Sequence, residues 1–192
     1  MSQSDNQRSK VYRAEGILTN HFKSKLGLKI LGDGCLAPTP SINDCQRYIK
    51  KVSNYEWFTA RWRIYYPSYV PDRVPNVGDG RGRGSACWER GTYTIKLPTF
   101  ARNEANILHE MAHWILDFAT VPRSDGSVGF HWIQYDKTHA AHGKEFASVF
   151  LELVRLQLGA DAAKALKASY KANRVKRDKQ PQPIHRKAQQ VA

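Results

Sequence analysis

One five-residue segment, His109-Glu110-Met111-Ala112-His113, constrains the fold of this chain more than any other. Two residues four apart on a helix lie one above the other on the same face. Apolar residues recur around the segment at helical spacing, at positions 107, 108, 111, 112, 115, 116 and 119. Pro98 and Thr99 supply start signals and Pro122 a stop signal. The pattern predicts an amphipathic helix that presents two imidazoles side by side.

The two histidines of this HExxH pattern have the spacing of metal ligands. On one helix face, His109 and His113 can both reach one Zn²⁺, and Glu110 can reach a water bound to that ion. Glu110 is therefore the candidate catalytic base, which would take the proton of the attacking water and pass it on to the leaving nitrogen. The alternative is an ordinary amphipathic helix with these side chains on its half-exposed side.

A catalytic zinc site needs a third protein ligand and an open fourth position. A second segment of helical periodicity begins near residue 146 and closes at Gly159, which places His142 at its first turn. By chemistry alone we rank His142 first as the third ligand, Glu145 second and His139 third. A histidine near a helix start is, as the alternative, an ordinary surface residue.

Further residues are candidates for supporting roles. Asp117 lies one turn beyond the HExxH pattern and could orient a ligand ring through its second N–H group, although a plain helix-end acid is an equal alternative. A second stabiliser of the oxyanion is expected. Its candidates, which the sequence does not rank, are Tyr135, His131 and His139.

The pairing of HExxH with the later segment His142-Gly143-Lys144-Glu145-Phe146 resembles the SprT-like zinc metalloproteases. The wider layout is similar to a set of small predicted metallohydrolases from actinobacteria and their phages. The matching pieces are Val11-Tyr12-Arg13-Ala14-Glu15, the segment 45–62 and the strand 92–97. The resemblance covers residues 10–175 and implies that His109, His113 and His142 bind zinc while Glu110 acts as the base.

Length and periodicity predict one domain of the α+β class, since the chain has 192 residues and enough apolar content for a core. We expect a disordered N-terminus at 1–9, a zincin-like metalloprotease domain at 10–172 with a small antiparallel sheet packed on the HExxH helix, and a basic, disordered tail at 173–192. Further helices are predicted at 10–20, 41–54 and 161–172. Strands are predicted at 57–66, 86–89 and 92–97, with irregular segments at 23–40 and 67–85.

The strand Thr92–Leu97 runs directly into the HExxH helix. In zinc proteases of this architecture, a strand just before that helix edges the cleft, and an extended peptide can add to it through main-chain hydrogen bonds. This strand is therefore the candidate substrate-binding strand. An ordinary sheet strand is the alternative, and the two are compatible.

Positive charge is concentrated at one end of the chain. The net charge is +13, and nine basic residues against one acidic residue lie between Lys164 and Lys187. A basic tail can bind phosphates without sequence specificity through counterion release. The segment Arg81-Gly82-Arg83-Gly84 adds a second basic stretch. Nucleic acid is thus a candidate partner, with a merely solubilising tail as the alternative.

Composition also limits the compartment. The sequence lacks an apolar run long enough for a membrane span, and its start lacks the apolar core of a secretory signal. Cys35, Cys45 and Cys87 are odd in number and lack CxxC spacing, so they are expected to be reduced thiols. The sequence predicts a cytoplasmic protein.

These features predict a zinc-dependent metallohydrolase, foremost a peptidase with a peptide or protein substrate. Two other classes stay open: an amidase on a small substrate, and a non-enzymatic DNA-binding or regulatory protein with a structural zinc site. An open fourth zinc position favours the enzyme. A fourth protein ligand, for example His139, would favour the structural role.

Overall fold

The computed structural model describes residues 5–25, 40–53, 74–117 and 140–177. Over these ranges the fold is mixed, with five helices and one three-stranded sheet. In chain order the elements are α1 (Arg8–Lys25), α2 (Ile42–Ser53), β1 (Asn76–Asp79), β2 (Cys87–Glu89), β3 (Thr94–Leu97), α3 (Glu104–Asp117), α4 (Lys144–Gln157) and α5 (Ala160–Ala172). The helices predicted around the HExxH pattern, after His142 and at 161–172 are confirmed.

The start of α2 shows how local sequence sets an element. The Ser41 hydroxyl accepts a hydrogen bond from the Asp44 backbone N–H at 3.1 Å, and the Asp44 carboxylate accepts one from the Ser41 N–H at 2.8 Å. This reciprocal capping satisfies N–H groups that lack helical partners. The buried face of α2 comprises Cys45, Tyr48, Ile49 and Val52.

The sheet is mixed rather than antiparallel, which corrects the prediction. β3 is the central strand, parallel to β1 on one side and antiparallel to β2 on the other. β1 lies within the segment 67–85, where a loop was predicted. Its sequence, Asn-Val-Gly-Asp, lacks the alternation that marks a strand. Its backbone is held by a side chain of α2. Gln46 accepts a hydrogen bond from the Val77 N–H at 2.7 Å and donates one to the Pro75 carbonyl at 2.9 Å.

α3 begins later than the start signals at Pro98 and Thr99 indicated. A 3₁₀ turn occupies Thr99–Ala101, and the first turn of α3 is capped by the Asn103 side chain, which accepts the Asn106 N–H at 2.9 Å. The capping amide, rather than the proline, sets the start of the helix. The stop signal at Pro122 lies outside the described residues.

The core lies between the sheet and the helices. α3 contacts β2, β3 and α4, while α5 packs against both α1 and α4. The largest fully buried side chains include Trp114, Tyr170, Phe146, Phe150 and Leu18. Gly159 separates α4 from α5 with a φ of 92°, a left-handed conformation that favours glycine, so the predicted glycine stop is confirmed.

Residues 5–9 and 173–177, on either side of the predicted domain 10–172, are placed against the rest of the fold. Residues 5–9, predicted to be disordered, form a turn and the start of α1, because polar side chains there find partners on the rest of the fold. Residues 173–177, assigned to the tail, are also placed, and Val175 is buried in the core. The predictions for 57–66 and for the tail from 178 onward lie outside the described residues.

None of the helices in the described ranges combines the length and the apolar character needed to cross a bilayer. Among the described residues Cys45 and Cys87 are free thiols, and Cys35 lies outside those residues.

Candidate metal centre

Three histidines converge between α3 and the turn before α4. His109 and His113 lie one turn apart on α3, and one ring nitrogen of each lies within 4.8 Å of one ring nitrogen of His142. The two Nε2 atoms of His109 and His113 are 3.2 Å apart. Among the described residues, this is the one group of three or more His, Cys, Asp or Glu side chains with such spacing. Glu145, our second choice of ligand, is not in it, and His139 lies outside the described residues.

The turn before α4 holds His142 in place. Gly143 N–H donates to the Ala140 carbonyl at 2.8 Å, which closes the turn. A Cβ atom at position 143 would lie 3.0 Å from the Ala140 carbonyl oxygen and 3.0 Å from a Glu145 carboxylate oxygen. The pair His142-Gly143 therefore combines a donor ring with a tight turn that has little room for a side chain.

The histidine rings sit against an apolar wall. The Phe146 ring lies with its centroid 4.8 Å from that of His109, 4.5 Å from His113 and 5.0 Å from His142. Burial disfavours the imidazolium form and lowers the pKa of His109 to about 3 and that of His113 well below its usual value. Both rings are therefore neutral near pH 7, which is the form that binds a metal.

Two carboxyl groups from the N-terminal segment determine which ring nitrogen of His109 and of His142 is free to bind a metal. Glu15 Oε2 lies 2.9 Å from His109 Nδ1, and Asp5 Oδ2 lies 2.7 Å from His142 Nδ1. In its ionised form each of these groups can only accept, so Nδ1 is then the donor and Nε2 is the ring nitrogen left to bind a metal. His142 Nε2 is buried and has no hydrogen-bond partner among the described residues.

A buried acceptor without a partner, aimed at two other ring nitrogens, fits a metal ion. Zn–N bonds of about 2.0–2.1 Å in a tetrahedron place two ligand nitrogens roughly 3.3 Å apart. The 3.2 Å between the Nε2 atoms of His109 and His113 agrees with that spacing. Three imidazoles suit Zn²⁺ among several divalent metals. The described geometry thus supports a metal site without identifying the metal.

Glu110 lies beside the histidines and is tied to the sheet. It is 4% exposed, and its Oε2 accepts a hydrogen bond from the backbone N–H of Trp88 in β2 at 2.6 Å. Burial raises the pKa of Glu110 to about 8, the Trp88 N–H acts against that rise and the charge of Glu15 adds to it. Glu110 is therefore a fixed carboxyl group with an affinity for protons near neutral pH.

Tyr12 covers the outer side of the centre. Its ring stacks on His109 with centroids 5.3 Å apart and an interplanar angle of 20°, and it lies 5.1 Å from the His142 ring. The residue is 43% exposed, so it lies at the surface of the cluster. Burial, followed by the charge of Glu110, raises the pKa of its hydroxyl.

Sequence reasoning missed the roles of Asp5, Tyr12 and Glu15. The segment Val11-Tyr12-Arg13-Ala14-Glu15 was the available signal, and its apolar members Val11 and Ala14 are buried in the core. The ring-orienting role considered for Asp117 falls on a side chain outside those described. The oxyanion candidates His131, Tyr135 and His139 also lie outside the described residues.

A cavity of about 230 Å³ opens beside His109 and Glu110. Small and apolar side chains supply much of its wall, with Glu15, Asn106 and Ser85 as polar members. The apolar wall residues are Leu18, Ala86, Phe100, Ala101, Ala105 and Phe150. The cavity therefore combines this apolar wall with the carboxyl groups of Glu15 and Glu110 next to His109.

The strand proposed to bind substrate is not at a sheet edge. β3 pairs with β1 over all four of its residues and with β2 over three, so it cannot accept another strand. Strand order is set by tertiary pairing, which the local sequence of Thr92–Leu97 does not encode. Within the described part of the sheet, β2 is the outer strand that contacts α3.

The arginines of the segment 81–84 make ion pairs. Arg81 lies 3.4 Å from Asp79, and Arg83 lies 3.0 Å from Glu89. Both pairs are largely exposed, so they are weak and leave the segment basic.

Comparison of the chain with protein-family models, with curated proteins and with solved structures gave no match. The functional conclusion therefore depends on the chemistry of the histidine cluster and its surroundings.

Proposed function

We propose that this protein is a zinc-dependent hydrolase of the zincin type, acting as a peptidase on peptides or proteins. The observation that carries the proposal is the convergence of His109, His113 and His142 beside the buried carboxyl group of Glu110. This combination has the donor set of a catalytic zinc site together with a base that is not itself needed as a ligand.

The chain's own residues supply the proton transfers. Zinc held by the three histidines would acidify a water molecule and polarise the substrate carbonyl. Glu110 takes the proton of the attacking water and then delivers it to the leaving nitrogen, since a carboxyl group with a raised pKa can accept and return a proton near neutral pH. The Trp88 N–H keeps one Glu110 oxygen in place, so the carboxyl group does not need to reorient between the two steps.

One observation favours an enzyme over a structural zinc site. A cavity reaches His109 and Glu110 from outside, as a substrate would require. Its apolar wall favours substrates with an uncharged side chain next to the scissile bond.

The direct test is Glu110→Gln. We expect the variant to bind one zinc with unchanged affinity and to lose about 10²- to 10⁴-fold in kcat/KM on a quenched-fluorescent peptide library, because general-base catalysis contributes a factor of that size. Zinc content is measured by metal analysis of the purified protein. His113→Ala is the matched control, since it should lose both zinc and activity.

Full turnover of Glu110→Gln with normal zinc content would refute the assigned mechanism. Wild-type cleavage of small amides but of no peptide would identify an amidase instead. Wild-type protein that binds zinc tightly and cleaves neither substrate class would favour the structural role.

We also propose nucleic acid as a partner, on the basis of one helix face. Lys164, Lys167 and Lys171 are exposed and follow the spacing of a single face of α5, while Leu166 and Tyr170 on the other side are buried. Such a row can contact consecutive phosphates.

A further inference from the structure

We infer that Asp5 and Glu15 are positioning residues that hold two ligand rings in the metal-binding tautomer. Because both belong to the N-terminal segment 5–15, docking of that segment and metal binding would be coupled. The inference rests on the proposed metal site but not on the proposed hydrolysis.

The Glu15 contact reaches across the fold. Glu15 lies on α1, 94 residues before its partner, and its Oε2 is 2.9 Å from His109 Nδ1. The side chains of Glu15 and His109 are 14% and 5% exposed, so water competes little for this hydrogen bond. A ligand ring whose second nitrogen is held by a carboxylate has a fixed orientation and is a stronger donor to the metal.

Asp5 does the same for His142 from 137 residues away, at 2.7 Å. The Gln7 side chain fixes the chain next to Asp5 through three hydrogen bonds. Its amide donates to the His142 carbonyl at 3.3 Å and to the Lys176 carbonyl at 3.3 Å, and the Lys176 N–H donates to the Gln7 side-chain oxygen. The third ligand, the N-terminal segment and the chain after α5 therefore share one hydrogen-bonded junction.

These carboxylates are poorly explained by fold stability alone. Glu15 Oε1 and Asp5 Oδ1 are buried and have no hydrogen-bond partner among the described residues. A buried carboxylate that is only partly hydrogen-bonded costs stability. A cation bound to the neighbouring imidazoles would offset that cost through favourable charge interaction. If Glu15 positions a ligand ring, removing its carboxyl group should not lower the stability of the metal-free protein. If Glu15 is a packing residue, the same change should lower that stability.

The test compares Glu15→Gln, Glu15→Leu and Asp5→Asn with Asp161→Asn, which removes a negative charge from an exposed position on α5. Zinc affinity is measured by competition with a chromogenic chelator. We expect Glu15→Leu to lose roughly 10- to 100-fold in affinity, the usual effect of removing such a partner. Glu15→Gln and Asp5→Asn should lose less, because the amide oxygen still accepts from Nδ1. Asp161→Asn should not change.

Two further readouts separate positioning from packing. The visible absorption of bound Co²⁺ should change in Glu15→Leu, because the ring donor is altered. The melting temperature of metal-free Glu15→Leu should equal or exceed that of the wild type. Unchanged metal affinity together with a lowered melting temperature would overturn the inference and leave Glu15 a packing residue.

Amide hydrogen exchange tests the coupling in the full-length protein. Zinc should slow exchange in residues 5–15 of the wild type and slow it less in Asp5→Asn. Equal exchange with and without zinc would refute the coupling. Because none of these measurements uses hydrolysis, a peptidase assay that fails would refute the proposed function and leave this inference standing.

Discussion

At the scale of single residues, zinc affinity distinguishes the three candidates for the third ligand, which are His142, Glu145 and His139. We expect His142→Ala to lower zinc affinity by at least about 100-fold, because a three-histidine site would lose one of its donors. Glu145→Ala should leave the affinity unchanged, since its carboxylate is not part of the histidine cluster and lies 3.7 Å from Lys144. Zinc titration against a competing chelator measures both.

His139→Ala belongs in the same titration, because His139 was the third candidate. We expect it to retain zinc. Loss of metal from His139→Ala with retention in His142→Ala would show that the ligand assignment is wrong, and loss from both would indicate a four-ligand site.

The cavity gives a second residue-scale prediction. Ala105 lines it, and Ala105→Leu would fill part of the space beside the cluster. We expect kcat/KM to fall about 10-fold or more for peptides with a large apolar side chain and to change little for peptides with alanine there, since each methylene in such a site is worth roughly 10- to 200-fold.

Ala168→Leu, at an exposed position of α5, is the matched control. An equal fall for both peptide classes in Ala105→Leu would mean that this cavity does not select the side chain.

Helical spacing alone places His109 and His113 on one face with Glu110 beside them, because one turn contains about 3.6 residues. His142 followed from its glycine and from the helix after it. Asp5 and Glu15 could not be found this way, since each acts on a ring 137 or 94 residues away and no local periodicity records such a contact. Tyr12 belongs to the segment Val11-Tyr12-Arg13-Ala14-Glu15, but its position over the rings depends on how α1 packs.

At the scale of elements, the sequence predicted helices well and the sheet poorly. α2 and α4 each combine an apolar stripe with a cap or a glycine stop, so local signals agree with the tertiary fold. β1 is a strand because Gln46 and β3 hold its backbone, although its side chains carry no strand pattern. The central position of β3 depends on pairing partners on both sides, which adjacency to α3 does not reveal.

The exposed face of α5 gives the prediction that belongs to this scale. Replacing Lys164, Lys167 and Lys171 together by glutamine should weaken binding to duplex DNA. It should also reduce the slope of log affinity against log salt by about one for each phosphate that the variant no longer neutralises. Fluorescence anisotropy at several salt concentrations measures both quantities.

The control replaces three exposed lysines on other helices, Lys10, Lys50 and Lys51, which changes the net charge equally. Equal affinities and slopes for the two triple variants would show that α5 has no special role. Truncation after Arg177, which spares the buried Val175, then tests the remaining tail separately.

At the scale of the whole molecule, the buried ionisable groups set a pH window for the metal-free protein. Burial lowers the pKa of His109 to about 3, below its ordinary value of 6.5, so the stability it contributes is lost as pH falls from 6.5 towards 3. His113 shifts in the same direction. Burial raises the pKa of Glu15 and Glu110 to about 8 from 4.5, so their contribution is lost as pH rises from 4.5 through 8.

Between pH 4.5 and 6.5, rising pH increases stability through the histidines and decreases it through the carboxyl groups. Below pH 4.5 the histidine effect acts alone, and above pH 6.5 the carboxyl effect acts alone. Protein stripped of metal by a chelator should therefore be most stable between these values, with its urea midpoint falling from pH 6.5 to 8. Saturating zinc should remove the alkaline fall, because a cation at the histidines favours the ionised carboxylates, and Glu15→Gln should reduce it without zinc. Urea unfolding at half-unit pH steps, with and without zinc, is the measurement. A metal-free midpoint that rises between pH 6.5 and 8 would contradict the burial of these carboxyl groups beside the metal centre.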